Sequence, residues 1–268
     1  MSPLSILIVI VVIVLVIMLL RYIFVDPNTI HDLASGKDSS RISASDLETN
    51  GDAPSSNFAY SVWFYINDWN YRYGEHKVIF GRMGARSKDG SGSLGGISGS
   101  GPCPAVVLGP VENNVAVSLA CFPGSDGGAN GGANGDANGD ANRRAIGDKD
   151  SVVHTCMVSN IPIQKWVNLV VSVYGRSMDL YIDGKLVRTC LLPGTAKVNN
   201  NADIFLTPRG GFDGWTSKLQ YYSNSLNPQE VWNIYTRGYS DALSIFGSYS
   251  VEVSLMENGS EKSSLTIG

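Results

Sequence analysis

Histidine is scarce in this chain, and His31, His76 and His154 stand alone, none beside a Ser or Cys in a recognisable triad pattern. That removes the usual general base of nucleophilic catalysis. Charge is also sparse. Only 16% of residues are Asp, Glu, Lys or Arg, the net charge is −4, and the cations form no patch or stripe. A nucleic-acid-binding surface needs such a patch, so that class is excluded. The four cysteines fit neither a zinc spacing nor a C-x-x-C redox pair. No metal, cofactor or catalytic group is therefore expected.

What the chain does have, first, is a long apolar run. Ile6 to Leu20 is unbroken, and Leu4 to Val25 is apolar except for Ser5 and Arg21. At ~1.5 Å rise per residue, roughly 20 residues cross the ~30 Å hydrocarbon core. The Ile, Val and Leu side chains together favour insertion by on the order of 5–9 kcal/mol. Arg21, near the end, can reach the headgroups. No Lys or Arg precedes the run, it outlasts a usual signal-peptide core, and no small-x-small cleavage pattern follows closely. The expectation is one retained transmembrane helix within residues 1–25. Arg21, Lys37 and Arg41 follow it, so the positive-inside rule puts the remaining chain on the cytoplasmic side.

Residues 166–188 read as three short strands joined by tight turns. Gly175-Arg176-Ser177 breaks the first pair and Asp183-Gly184 the second, and Asp-Gly favours a two-residue hairpin because Gly accepts positive φ. Met178, Leu180 and Ile182 point one way and Asp179 and Tyr181 the other, the period of a half-buried strand. Leu169-Val170-Val171-Ser172-Val173 is nearly all apolar and belongs in mid-sheet.

The same stretch, a Trp opening a strand and then Leu180-Tyr-Ile-Asp-Gly-Lys-Leu-Val187, resembles laminin-G and pentraxin-type domains of the concanavalin A-like lectin/glucanase group. Phe58–Ile66, alternating around Trp63, is similar to their early strand. Gly211–Tyr222 followed by Leu226–Val231 is similar to their closing strand and short helix. The resemblance covers about 58–238 and implies an all-β fold, an antiparallel two-sheet jelly-roll sandwich. It does not imply a function, because that architecture hosts many. Glucanases of the group place carboxylates as Glu-x-Asp-x-x-Glu, and this chain has no such spacing; Glu75, Glu112 and Glu230 are isolated. A non-enzymatic protein is expected.

The organisation expected is an anchor at 1–25, a polar linker at 26–57, the laminin-G-like domain at 58–240 and a C-terminal hairpin at 241–268. In that hairpin Tyr249–Leu255 and Ser263–Ile267 alternate about an Asn258-Gly259 turn. Residues 84–101 are a Gly/Ser-rich loop. Residues 127–142 repeat Gly-Gly-Ala-Asn and then Gly-Asp-Ala-Asn; they read as a flexible insertion, with a calcium site through Asp136 and Asp140 as the sharper alternative. The full layout resembles membrane proteins of large DNA viruses.

Cys103 and Cys121 flank Val111-Glu112-Asn113-Asn114, a turn candidate, so a hairpin there would bring them together as a disulfide. Cys156 and Cys190 would be the second pair; buried free thiols are the alternative for all four. Trp69, Asn70, Tyr71, Arg72 and Tyr73 are the ligand-binding candidates, since aromatic faces stack on sugars while Asn and Arg supply hydrogen bonds. The competing role for these rings is to cap the sandwich. Trp63, Trp166, Trp215 and Trp232 are expected in the core. Two functions follow. One is a membrane-anchored structural module linking a viral inner membrane to a capsid layer, with lipid and neighbouring capsid proteins as partners. The other is a membrane-displayed, glycan-binding lectin.

Overall fold

A computed structural model of the chain describes residues 10–16, 26–47, 56–83, 101–123 and 151–240, and the backbone of 251–257 and 260–267. Residues 28–239 form one compact unit; 1–27 and 240–268 form another.

The larger unit is a sandwich of two antiparallel sheets. In the first, β1 (Thr29–His31), β13 (Asp213–Tyr222), β4 (Phe58–Asp68), β9 (Trp166–Tyr174), β10 (Ser177–Ile182) and β11 (Lys185–Leu191) lie side by side, and β2 (Ala34–Ser35) also pairs with β13. The second runs β3 (Ser40–Ile42), β12 (Ile204–Leu206), β5 (Lys77–Arg82), β6 (Ala105–Leu108), β7 (Val115–Cys121) and β8 (Val152–Val158). Between them lies one apolar cluster that includes Phe64, Phe80, Val117, Leu169, Leu180 and Phe212.

The hairpins expected in 166–188 are present. Asp183 and Gly184 both take positive φ, 49° and 76°, as a two-residue primed turn requires. The Asp183 carboxylate accepts from the Asn168 backbone N–H at 3.0 Å, which fixes the turn on β9. Tyr181 points away from the core as the alternation demands, yet it is buried. Helix α1 (Pro228–Arg237) covers it through Val231, with Leu226 beside them. This helix starts cleanly: Asn227 accepts from the Gln229 and Glu230 backbone N–H groups, and the Glu230 carboxylate accepts from Asn227 N–H.

Three expectations need correction. Residues 26–57 are not simply a linker. β1 and β2 join the first sheet against β13, β3 joins the second against β12, and Leu47 of a short 3-10 turn (Ala44–Leu47) is buried in the core. These strands are only two or three residues long; backbone pairing holds them, together with Ile42 in the core and Ile30 packed against it.

Of the two disulfides expected, the second forms and the first does not. Cys156 and Cys190 are bonded, Cα to Cα 6.3 Å, while Cys103 and Cys121 are buried free thiols. The 111–114 turn does form, with Gly109 N–H donating to the Asn114 carbonyl at 2.9 Å. But the register of β6 on β7 begins at Ala105 with Ser118; before it, Ala120 N–H donates to the Pro102 carbonyl at 2.7 Å and Cys103 N–H donates to the Arg82 carbonyl of β5 at 2.9 Å, so Cys103 is held by β5 and not opposite Cys121.

Of the four tryptophans expected in the core, only Trp63 is buried, stacked on Tyr235 of α1. Trp166 is half-buried, and Trp215 and Trp232 are 48% and 43% exposed. Trp215 and Trp166 lie on either side of Tyr65 in register, on the sheet face turned away from the core.

In the second unit, residues 10–16 are helical and all exposed. Among the described residues no helix is long and apolar enough to cross a membrane, and the rest of the apolar run lies outside them. β14 (Val251–Glu257) and β15 (Ser260–Ile267) pair antiparallel as a separate two-stranded sheet. The Gly/Ser loop 84–100, the repeat 127–142 with Asp136 and Asp140, and the 258–259 turn also lie outside the described residues.

Candidate functional site

At the end of the sandwich where β4 finishes, the chain turns through residues 69–76. The Asp68 carboxylate accepts from Asn70 N–H at 2.9 Å, and Arg72 and Gly74 adopt positive φ. Gly74 N–H donates to the Pro110 carbonyl at 2.9 Å, tying this loop to the 110–114 turn. Trp69 is drawn the same way: its indole N–H donates to the Val111 carbonyl at 2.9 Å.

These ties leave a cleft of about 430 Å³ between three loops. Trp69 forms one wall, the turn residues Val111, Glu112, Asn113 and Asn114 a second, and Ser159, Asn160 and Ile163 a third. Gly109 makes the turn possible, because a Cβ there would overlap the Asn114 side-chain oxygen and stand 2.7 Å from the Glu112 carbonyl. The third wall is fixed to the second by two bonds, Ile161 N–H to the Asn113 carbonyl at 2.8 Å and Asn113 Nδ2 to the Ile161 carbonyl at 3.1 Å. Asn160 sits in the left-handed region at φ 59°, which Asn tolerates better than most residues.

Beneath Trp69 lies a buried charge. Lys77 is only 1% exposed; its Nζ donates to the Trp69 carbonyl at 2.9 Å and stands 4.6 Å from the Trp69 ring centroid. Burial holds the Lys77 pKa below its ordinary value, with the Arg72 charge acting the same way. The ammonium and the indole thus fix each other, and one face of Trp69 is taken up by the protein.

The five sequence candidates do not converge. Trp69 alone lines the cleft. Arg72 turns to the 209–211 loop, donating from Nη1 to the Arg209 carbonyl at 2.8 Å and pairing Nη2 with Glu75 at 2.6 Å. Tyr71 lies 4.8 Å under the Lys37 ammonium, which is itself paired with Asp213 at 2.7 Å. Tyr73 and Asn70 are exposed. Tyr71 and Arg72 therefore brace loops, and of the five only Trp69 lines the cleft.

Asn113, Asn114 and Asn160 are the polar groups that the sequence reading passed over. The pair Asn113-Asn114 was visible as a turn, but nothing local marked it as the wall of a cleft, because its partner loop lies some 45 residues on (Asn113 to Asn160). The chemistry available is amide hydrogen bonding beside an aromatic edge, with Glu112 as a lone carboxylate. Among the described residues no three His, Cys, Asp or Glu side chains group as metal ligands.

The fold and cleft define a β-sandwich with a loop-end recess of mixed polar and apolar lining. No family model matches the chain, and no curated protein matches it. Among solved structures it is similar to the receptor binding domain of botulinum neurotoxin D, at 15% identity and TM-score 0.47, over 76% of this chain and 43% of that one. It is similar also to the serotype D ligand binding domain in complex with N-acetylneuraminic acid (15%, TM-score 0.48, 77% and 42%). The C/D mosaic receptor binding domain gives 16%, TM-score 0.47, 77% and 42%. The chain spans less than half the length of these structures, and at such identity the likeness carries no ligand to it.

Proposed function

We propose that this chain is a non-enzymatic binding module anchored in a membrane by its N-terminal apolar run, its sandwich being a laminin-G-like jelly roll. One observation carries the anchor: residues 10–16 are helical, apolar on every face and exposed on every residue, from Val14 at 41% to Leu15 at 59%. A helix apolar all round needs an apolar surrounding, and the hydrocarbon of a bilayer is one. The lone carboxylate of the cleft supports binding over hydrolysis, which needs two carboxylates across the scissile bond.

The partner we favour is protein. The layout similar to membrane proteins of large DNA viruses suggests a link between an inner membrane and a capsid layer, with the sandwich on the cytoplasmic, capsid-facing side. Cross-linking of the full chain in intact membranes or virions tests this. Recurrent links from the sandwich to one protein of an adjoining layer support it; their absence refutes it. The second reading is a glycan-binding lectin, and the Trp69 cleft with its three amides favours it. A glycan array probed with the full chain in detergent distinguishes the two, with Trp69→Ala abolishing any signal that comes from the cleft.

A further inference from the structure

We infer that the end of the sandwich opposite the Trp69 cleft rests on the bilayer surface, with Tyr174 and Leu191 as its apolar contacts. The inference rests on the membrane-anchored reading above. Its first support is the length of chain between the apolar run and the fold. The run ends at Val25, and β1 opens at Thr29. Four residue steps reach at most about 14 Å. With residues 29–42 built into the sheets, no slack remains to hold the sandwich away from the headgroups.

Strand direction then decides which end faces the bilayer. Thr29 pairs with Gln220, and Tyr221 N–H donates to the Asn28 carbonyl at 3.0 Å, so the chain enters where β13 ends. β13 pairs Tyr222 with Ala59, and β4 pairs Phe58 with Val173, which places the start of β4 and the close of β9 at this same end. The second sheet matches: Arg82 at the close of β5 reaches the Tyr60 hydroxyl at 3.4 Å. The close of β7 and the start of β8 lie here as well, since Cys121 pairs with Val152.

This end exposes apolar side chains. Tyr174 is 69% and Leu191 74% exposed, with Phe122 and Val152 beside them on the second sheet, also exposed. They gather on the flank where Cys156–Cys190 joins the two edge strands β8 and β11. Among the described residues of that flank the charge has one sign. Segments 121–123, 151–153, 174–177 and 191–198 contain Arg176 and Lys197 and no Asp or Glu. Arg176 donates Nε and Nη2 to the Leu192 and Pro193 carbonyls, which holds its guanidinium at the rim, and Lys197 stands 5.8 Å from the Phe122 ring centroid. An amphipathic Tyr, large apolar tips and flanking cations suit the headgroup layer of an anionic bilayer. β1 and β11 are five strands apart in the sheet, roughly 24 Å at the usual strand spacing. The entry of the chain at Asn28 and the apolar patch thus lie at opposite corners of this end of the sandwich.

The test uses the full chain reconstituted in phosphatidylcholine vesicles containing phosphatidylserine. An environment-sensitive fluorophore is attached through Tyr174→Cys or, at the cleft end, through the likewise exposed Tyr73→Cys; Cys103 and Cys121 are buried and stay unlabelled. The expected result is a blue-shifted emission at position 174, quenched by headgroup nitroxide lipids, and neither effect at position 73. Equal behaviour at both positions, or quenching at 73 alone, overturns the inference. Flotation of the same samples separates the two claims. A chain that floats without quenching at 174 keeps its anchor and loses the docked end; a chain that does not float loses both. Covalent footprinting of the unaltered chain gives the same reading without substitution: Tyr174 is protected in vesicles relative to detergent and Tyr73 is not.

Discussion

Breaking Cys156–Cys190 should cost the sandwich a large part of its stability. The bond joins β8 and β11, the edge strands of different sheets, across a sequence separation of 34. In the chain-entropy treatment, opening a loop of that length returns to the unfolded chain about 2.1 + 1.5R ln 34 cal/mol/K, or about 3.8 kcal/mol at 25 °C. A domain of this kind has a net stability of only ~5–15 kcal/mol, so the fraction lost is substantial. The double variant Cys156→Ala, Cys190→Ala removes the bond, and the Cys156 site sits in the core where the loss of sulfur adds a small cavity cost. Denaturant unfolding of the full chain in detergent, followed by tryptophan fluorescence, should show a lower midpoint and a slope at least as steep, because the unlinked unfolded chain exposes more surface. Reduction of the parent protein should give the same shift. A loss below ~1 kcal/mol in both would mean that the bond constrains little, and the reasoning would fail.

Three further outcomes are expected. Native protein should leave Cys103 and Cys121 unreactive towards a thiol reagent at neutral pH, since burial pushes their pKa values to about 11 and about 12; unfolding without reductant should release two thiols, and release of none would show them bonded. Lys77 has a depressed pKa in the folded state, so its charged form costs stability at neutral pH, and the cost is relieved as pH rises from that depressed value towards the unfolded value near 10.5. The stability advantage of Lys77→Met over the parent should therefore shrink in alkaline solution, and parallel stability–pH curves would contradict the assignment. Gly109→Ala should destabilise by about 1–3 kcal/mol, because the new Cβ overlaps the Asn114 side chain, and should weaken any ligand held in the cleft; unchanged thermal unfolding would count against that turn geometry.

Much of the fold could be read where local chemistry and global packing agree. Asp183-Gly184 specified a turn that only its positive φ values could make, and the alternation from Met178 to Ile182 correctly assigned the inner face. Tyr181 shows the limit of such reading: alternation gave its direction, but only α1 decides that the outward side is buried. The short strands in 29–42 could not be read at all. Thr29, Ser35, Ser40 and Arg41 carry no apolar period, and their strands exist because β12 and β13 offer unpaired backbone to them. Of the two disulfides expected, Cys156–Cys190 forms and Cys103–Cys121 does not. The turn at 111–114 was legible, but symmetry about it says nothing of Cys103, which lies beyond the paired residues and bonds its N–H to Arg82 of β5. The site was legible only at Trp69. The amides that face it come from loops distant in sequence, and Arg72, which looked like a ligand donor, spends its guanidinium on Glu75 and on backbone carbonyls.

The central claim is a retained anchor bearing a binding module at its surface. Its most direct measurement is vesicle flotation after an alkaline carbonate wash, comparing the full chain with a chain lacking residues 4–25. The full chain should stay with the lipid through the wash and the shortened chain should not. Release of the full chain by carbonate, or equal retention of both, would contradict the account.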